Sequence, residues 1–285
     1  MRKIQILLMA LFVINGLKAQ EGAKSIRVSE FHVQNGIVFN SGQHFGLSDY
    51  KTLAPNSDLL ANDFSTFQGN DYFIFNGPSS SSYQTIQLGL TFKSNPNPLW
   101  RIGISHISLG DISKGFSKST IVPYDTLTSS QTGQQYFLDS TYSENYNMNY
   151  SAQQLRLETS LIYRTNPENR WSVYAGIGLS FGLSYNASTR IDYNSYSYSS
   201  SYYQSNTYSE WGQEKREYFE NKSNWSTSVF VPMGIDFRLG KKREFWKRLH
   251  LYHEMKPSIT YTTIPEVKRL TNVNIVNSLG LKVSF

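Results

Sequence analysis

The sequence contains no cysteine among its 285 residues. A disulfide framework, a thiolate zinc site and a lipid-modified cysteine behind a leader are therefore excluded. Charged residues are also scarce, at 17% against a usual share of about a quarter. Beyond the N-terminal leader, no apolar run reaches the roughly 18 residues that a membrane-spanning helix needs. If the chain enters a membrane, it must do so by another route.

Two common catalytic motifs are missing as well. The sequence has no HExxH and no phosphate-binding glycine loop. His44 with Asp49 and Asp63, and His106 with Asp111, each offer a fragment of an acid–base pair. Such neighbours arise by chance in a chain that has five His and many Ser residues. We expect no catalytic residue, no metal site and no cofactor.

The N-terminus has the pattern of a secretory signal peptide. Arg2 and Lys3 precede an apolar stretch at residues 4–14, and Ala19 offers a small residue for cleavage. This pattern predicts a signal peptide over residues 1–19.

The remaining chain, residues 20–285, is expected to form one domain. Its formal net charge is +3, which is the +6 of the whole chain less the three cations of the leader. That charge is too small to indicate a nucleic-acid partner, and no basic patch follows a known motif. The three leader cations are Arg2, Lys3 and Lys18.

Aromatic residues and period-two alternation are abundant. Aromatic residues make up 15% of the chain, with 20 tyrosines. The final segment alternates apolar and polar residues up to Phe285, which predicts a strand with one apolar and one polar face. Seven further segments share this pattern. We therefore predict strands at residues 26–39, 85–93, 99–109, 154–164, 171–185, 225–239, 249–261 and 273–285.

The connections between these segments alternate in length. Three are short and rich in turn formers, at residues 95–98, 165–170 and 240–248. Between them lie long segments at residues 40–84, 110–153 and 186–224, followed by a modest one at 262–272. Short turns on one side, long loops on the other and an even strand count are typical of outer-membrane barrels. We predict an all-β fold, an eight-stranded antiparallel up-and-down transmembrane β-barrel with long extracellular loops.

A secreted lipocalin-like barrel is the alternative, because it also has eight alternating strands but turns its apolar face inward. The segment at residues 171–185 discriminates between the two. One face is bulky from Trp171 to Tyr185, whereas the other holds Gly176, Gly178 and Gly182 among serines. Glycine weakens a water-exposed strand, but small residues fit a crowded lumen. This favours a barrel whose apolar face meets lipid.

The pattern resembles the OmpA-type barrels of bacterial outer membranes. The terminal strand ending in Phe285 is similar to the strand that the barrel-assembly machinery reads in that superfamily. The Ala19–Gln20 junction and the chain length are also similar to PorT-like barrels of Bacteroidota, some of which are linked to protein secretion. The resemblance implies the outer membrane of a Gram-negative bacterium, with outer-membrane lipid, lipopolysaccharide and the assembly machinery as partners.

The faces opposite the apolar ones carry most of the strand charge. An eight-stranded barrel is only wide enough for side chains to fill, so buried charges of opposite sign must pair. We predict a salt-bridged plug; the alternative is a proton or ion path along His32, His250, Glu254 and Lys256. The predicted lumen charge network comprises Arg156, Glu158, Asp236, Arg238, His250, Glu254 and Lys256. Further inward charges are expected at Arg27, Glu30, His32, Lys93, Arg101, Arg164 and Lys282.

Register can be predicted across the turn at residues 240–248. This turn places Arg238 opposite His250 and Gly234 opposite Glu254. Asp236 should then meet Arg238 or His250. Glu254 should meet a cation such as Lys256 or Arg156.

Two irregularities are expected in the strands. The apolar phase changes from even to odd positions after Val28, which indicates a β-bulge at Ser29–Glu30. Pro232 and Pro257 each remove a ladder hydrogen bond, and we predict a bulge or break at Pro232.

Tyrosine, serine and asparagine dominate the long loops. Tyrosine brings contact area at low entropic cost, so such mixtures make adaptable binding surfaces. The alternative is that strands continue beyond the membrane as a polar hairpin, which the Ser/Tyr alternation at residues 195–199 fits. The predicted surface-loop binding candidates are Tyr196, Tyr198, Tyr202, Tyr203 and Trp211.

The expected function is therefore non-enzymatic, through these loops. It is surface binding, adhesion, or an accessory role in envelope assembly or secretion, with a protein or glycan partner. The alternative is a small transport pore, and an outer-membrane enzyme comes third.

Overall fold

A computed structural model describes residues 26–40, 45–70, 80–92, 97–166, 169–201, 204–240, 242–267 and 269–285. The predicted signal peptide, residues 1–19, lies outside these ranges and stays a prediction. His44, Lys93, Tyr202 and Tyr203 also lie outside them. Among the described residues, no helix is long and apolar enough to cross a membrane.

Strands dominate the described chain. Two short helices, α1 (Leu47–Leu53) and α2 (Glu244–Arg248), and a 3₁₀ turn (Leu59–Ala61) are the exceptions. The strands are β1 (Ile26–Asn40), β2 (Gln68–Asn70), β3 (Ser80–Phe92), β4 (Leu99–Thr128), β5 (Gln135–Arg164), β6 (Trp171–Ser201), β7 (Gln204–Glu220), β8 (Trp225–Phe230), β9 (Met233–Arg238), β10 (Leu249–Thr263) and β11 (Arg269–Ser284).

Antiparallel pairing closes these strands into a ring. The order around it is β1, β3, β4, β5, β6, the pair β8 and β9, β10 and β11, and β11 pairs again with β1. Because β8 and β9 occupy one place in line, both between β6 and β10, the ring has eight positions. The predicted eight-stranded up-and-down barrel is confirmed.

The predicted irregularities are confirmed too. The register of β1 against β3 shifts between Val28 and Glu30. The predicted strand at residues 225–239 is broken at Pro232, between β8 and β9. Pro257 faces the same break, because its carbonyl accepts from Val231 N (3.0 Å) while pairing with β11 runs regularly through it. Both prolines therefore share a single interruption.

The barrel is apolar outside and polar inside. On β6, Ile177 and Leu183 are 59% and 55% exposed on the outer wall, whereas Ser180 and Ser184 are buried within. Inward glycines make room for large lumen side chains. A Cβ on Gly280 would lie 2.5 Å from the Tyr252 ring. A lipocalin-like barrel would show the reverse polarity, so the apolar wall of this barrel faces lipid. The chain has the fold of an outer-membrane β-barrel.

The prediction of long loops at residues 110–153 and 186–224 is wrong, because strands occupy most of both segments. β4 continues to Thr128 rather than ending at 109, β5 begins at Gln135, and β6 continues to Ser201. At about 3.3 Å per residue, the 19 residues of β4 beyond 109 extend roughly 60 Å. With β7, and with the short β2 paired to β4 at residues 115–117, these extensions form a five-stranded sheet outside the membrane, which we call the head. The alternative, strands that continue past the membrane, is correct.

Candidate functional site: the barrel lumen and the extracellular head

Two carboxylates organise the lumen at its periplasmic, short-turn end. Asp236 accepts a hydrogen bond from His250 Nδ1 (2.9 Å) and also contacts Lys282. Glu30 contacts Arg164, and its Oε1 lies 3.6 Å from Lys282 Nζ. Lys282 therefore links two carboxylates that lie on β1 and β9. The predicted register of β9 against β10 is confirmed, and Asp236 meets His250, not Arg238, which lies opposite His250 in the ladder.

A second network occupies the middle of the lumen. Glu254 is fully buried and accepts hydrogen bonds from Arg101 Nη1 (2.6 Å) and the Tyr174 hydroxyl (2.8 Å). Lys256 Nζ lies 3.2 Å from Glu254 and 3.1 Å from Glu158. The ammonium thus bridges two carboxylates, an arrangement that offsets the cost of taking these charges out of water.

The prediction that Glu254 meets Lys256 or Arg156 is confirmed through Lys256, whereas Arg156 has other partners. Its guanidinium instead donates twice to Gln154 Oε1 (2.9 and 2.8 Å). Gln154 in turn donates to Asn224 Oδ1 (2.7 Å), and Asn224 donates to the Tyr150 hydroxyl (2.8 Å). The Arg156 stem fits because Gly182 opposite has no side chain; a Cβ there would lie 2.5 Å from Arg156 Cγ. This series of hydrogen bonds, from Arg156 to Tyr150, joins the lumen to the head.

The alternative path along His32, His250, Glu254 and Lys256 does not form one series of contacts. His32 Nε2 pairs with Glu30 (3.1 Å) in the periplasmic network, to which His250 also belongs. Glu254 and Lys256 belong to the middle network. A cavity near the periplasmic end, lined by Glu30, has a volume of about 20 Å³, room for a single water.

Residues 45–67, which we call the cap, pack at the outer mouth of the barrel against β4, β5, β6 and the connection between β10 and β11. The cap comprises α1, the 3₁₀ turn and the segments around them, and it packs onto the inner face of the head. That face continues the lumen wall, because the even-numbered residues of β5 point inward in both parts. The shared core contains Phe45, Tyr50, Leu53, Ala54, Leu59, Leu60 and Phe64 of the cap with Tyr146, Met148, Tyr150, Ala152, Ala187, Ile191, Tyr193 and Ile264.

Polar contacts fix the cap to the head. Glu217 of β7 accepts from the Ser57 hydroxyl and from Leu59 N (3.3 Å). Asn221, in the turn after β7, donates to Leu53 O (2.8 Å). The cap is therefore held by both its apolar face and its backbone. No sequence pattern predicted the cap, although the inward apolar series on β5 at residues 146, 148, 150 and 152 was a readable signal that something covers this face.

The predicted binding candidates of β6 and β7 lie on the opposite, outer face of the head. Tyr196 pairs with Trp211 across the strands, and their rings are 6.0 Å apart. Tyr198 follows on the same face, with its ring 6.4 Å from that of Tyr196. Trp211 is 78% exposed. Three predicted candidates thus form one aromatic row on a strand surface rather than on loops.

The residues considered as acid–base fragments have other contacts. Asp49 accepts from Gly46 N (2.8 Å) at the start of α1. Hydrogen bonds from the backbone and hydroxyl of Ser65 lower the pKa of Asp63. His106 lies beside the Tyr185 ring, 6.1 Å away. Within the described part of the chain, no group of three His, Asp or Glu residues is arranged to hold a metal ion.

Comparison with known proteins finds similarity in structure but not in sequence. No protein-family model and no curated protein matches the sequence. Neisserial surface protein A is 12% identical, with a TM-score of 0.36, over 93% of this chain and all of that one. The attachment invasion locus protein Ail of Yersinia pestis, solved with the heparin analogue sucrose octasulfate, is 11% identical, with a TM-score of 0.29, over 90% and 99%. The translocator domain of the autotransporter NalP from Neisseria meningitidis is 11% identical, with a TM-score of 0.20, over 99% of this chain and 98% of that one.

Proposed function

We propose that this outer-membrane barrel is closed to solutes and acts without catalysis, by binding a partner at its extracellular head. The observation that carries the proposal is the cap, which packs at the outer mouth above a lumen already filled by ion pairs. A transport pore would need a continuous water path. The space at the periplasmic end instead measures about 20 Å³.

The chemistry of the lumen supports closure. Four carboxylates of the lumen each contact at least one cation, and all four are at most 6% exposed. An ion entering such a lumen would have to break contacts between buried charges, which costs several kcal/mol for each uncompensated charge. The carboxylates are Glu30, Glu158, Asp236 and Glu254.

The head supports binding. Its strands are long, paired and backed by an apolar core, so the outer face is a rigid platform. Exposed Tyr198 and Trp211 supply contact area at little entropic cost on that platform. Rigid elements hold a binding surface more accurately than loops do. Adhesion and an accessory role in envelope assembly would both use this surface.

Conductance in planar bilayers tests closure. We expect no single-channel steps from the wild-type protein. The variant Arg101→Ala/Glu254→Ala/Lys256→Ala, with residues 45–67 replaced by a Gly-Ser linker, should conduct, because it loses both the plug and the cap. Regular conductance steps from the wild-type protein would overturn the proposal and favour the transport pore.

Adherence of intact cells tests binding by the head. Gram-negative host cells displaying the protein should adhere to a printed array of glycans and matrix proteins above the level of host cells alone. Tyr198→Ser/Trp211→Ser should lower that adherence, whereas Phe245→Ser, 68% exposed on α2 at the periplasmic end, should leave it unchanged. Equal adherence by displaying and non-displaying cells would contradict binding by the head.

A further inference from the structure

A second surface of the head contains a cavity that the aromatic row does not touch. It lies on the cap side of the sheet and has a volume of about 320 Å³. This is near the lower end of the roughly 300–1,000 Å³ typical of small-molecule sites. Asn62, Asp63, Gln213 and Lys215 are exposed at its edge, so it opens to the cell exterior. Its lining comprises Leu59, Asn62, Asp63, Phe67, Lys118, Glu144, Tyr146, Tyr193, Gln213 and Lys215.

Aromatic rings form one side of this cavity. The ring centroids of Phe67 and Tyr146 are 5.4 Å apart, and those of Tyr146 and Tyr193 are 4.8 Å apart. Phe64 packs behind them, 4.8 Å from Tyr146, and fixes the ring positions. The electron-rich faces of such rings attract weakly positive C–H groups. Tyr146 and Tyr193 are only 3% and 9% exposed, whereas Phe67 is partly buried. Phe67 is therefore the ring that can meet an apolar C–H face of a ligand, and the tyrosines hold it in place.

The other side is polar and offers both donors and acceptors. Glu144 accepts from the Tyr193 hydroxyl (3.0 Å), which orients its carboxylate. Asn62 donates to the Tyr146 hydroxyl (2.6 Å), and that hydroxyl retains its own proton to donate. Lys118 Nζ lies 5.7 Å from the Phe67 ring centroid, at the junction of the two sides.

The tyrosine hydroxyls stay protonated over the physiological pH range. Burial raises the pKa of Tyr146, and the hydrogen bond from Asn62 opposes only part of that increase. Burial also raises the pKa of Tyr193, and its hydrogen bonds with Tyr142 and Glu144 raise it further. Both hydroxyls therefore remain neutral hydrogen-bonding groups.

Charge narrows the ligand class. Two ammonium groups, Lys118 and Lys215, stand with two carboxylates, Asp63 and Glu144, so the lining has no net charge. A sulfate or phosphate would approach the carboxylates, and an alkyl chain would leave all four charges and the amides unsatisfied. A neutral ring with hydroxyls on its rim and C–H groups on its face satisfies both sides.

We propose that this cavity binds a neutral saccharide, a mono- or disaccharide unit at the end of a surface or host glycan. The proposal deepens the proposed function and rests on it, because it names a ligand class for the head. Phe67 stacks on the sugar face, Glu144 and Asp63 accept from its hydroxyls, and Lys118 and Gln213 donate to them.

Saturation-transfer NMR on the full chain in nanodiscs tests this assignment. The probes are glucose, galactose, mannose, N-acetylglucosamine and their β-linked disaccharides, with sodium sulfate as a separate arm. We expect saturable binding of at least one neutral sugar, with a Kd on the order of 1 mM. Phe67→Ala and Glu144→Gln should each weaken binding roughly tenfold or more, since each removes one side of the site.

Controls separate binding from folding. Glu244→Gln removes a carboxylate from the periplasmic helix α2, 74% exposed in its pair with Lys247, and should bind sugar as the wild type does. Retained heat-modifiable migration in gels shows that each variant has folded.

Two outcomes overturn the assignment. One is that no sugar of the panel binds, or that sulfate alone does. The other is that Phe67→Ala and Glu144→Gln bind sugar as tightly as Glu244→Gln. Neither outcome contradicts the proposed function if the barrel does not conduct and Tyr198→Ser/Trp211→Ser still lowers adherence. Failure of the saccharide assignment can therefore be distinguished from failure of the proposed function.

Discussion

Replacing Glu254 by Gln is the sharpest test of a dry, paired lumen. The carboxylate is fully buried, and Arg101, Lys256 and Tyr174 all contact it. Glutamine keeps the volume but removes the charge, so Arg101 loses the carboxylate at 2.6 Å. Lys256 keeps its contact with Glu158. Breaking one side of a buried ion pair costs about 3–5 kcal/mol, and the retained contact of Lys256 places the expected loss near the lower limit, about 3 kcal/mol.

Reversible urea unfolding in lipid bilayers, followed by tryptophan fluorescence, measures that loss. Glu244→Gln, the exposed control, should change the free energy of unfolding by less than about 0.5 kcal/mol. Arg101→Met/Glu254→Leu removes both partners and should cost less than Glu254→Gln alone. Molar salt should hardly alter the result, because buried pairs are screened little. A loss below about 1 kcal/mol for Glu254→Gln would mean that water screens the lumen, and the argument for closure would fail.

Three further predictions concern the terminal strand, the cap and a buried tyrosine. The N–H of Phe285 donates to Ser29 O (2.9 Å), and deleting Phe285 should strongly reduce the heat-modifiable form in the outer membrane. Deleting Ser130, Gln131 and Thr132 at the β4–β5 turn should reduce it far less, since only the terminal strand must close the ring and be recognised. Equal yields from the two deletions would contradict an assembly role for the terminal strand. Tyr50→Ala leaves a cavity at a fully buried site of the cap core, so the free energy of unfolding of the head should fall by about 3–5 kcal/mol. The head should then become sensitive to trypsin while the barrel stays heat-modifiable, and Tyr218→Ala, at an exposed site, is the control. A head as resistant to trypsin as that of the wild type would show that the cap is not packed there. Burial raises the pKa of Tyr150 to about 12, opposed by the hydrogen bond from Asn224, so the stability that neutral Tyr150 contributes is complete below about pH 10 and is lost as the pH rises towards 12. Tyr150→Phe should therefore make the free energy of unfolding less dependent on pH in this range, with Tyr163→Phe as the control. An unchanged pH dependence would contradict the burial of Tyr150.

Local pattern was enough for the membrane part of the fold. The phase change after Val28 located the bulge, and the length of the turn before Leu249 set the register of Arg238 against His250. Both follow from the period of two, because a shift of one residue turns every side chain to the other face. Proline chemistry likewise located the break at Pro232, since a missing N–H cannot be hidden inside a strand.

Pattern failed where the pairing partner lies far along the chain. The cap has no alternation of its own; its place is decided by the apolar inner face of the head, as in the contact of Phe45 with Tyr150 at 5.7 Å between ring centroids. The cavity beside Tyr146 and Tyr193 exists only because residues 62–67 return to strands some eighty and more residues later. The strands of the head were predicted as loops because alternation of Ser and Tyr is compatible with either a loop or a strand.

By itself, the sequence determined that this chain makes alternating strands, which face meets lipid and that charges fill the interior, because those properties depend on residues two positions apart. Only the tertiary structure decided which charges pair and what packs at the outer mouth. Closing the ring brings Arg101 to Glu254, 153 residues away, and Glu30 to Arg164, 134 residues away. Several cations on the inner face could have satisfied each carboxylate equally well by charge, and the shear and size of the closed barrel select among them.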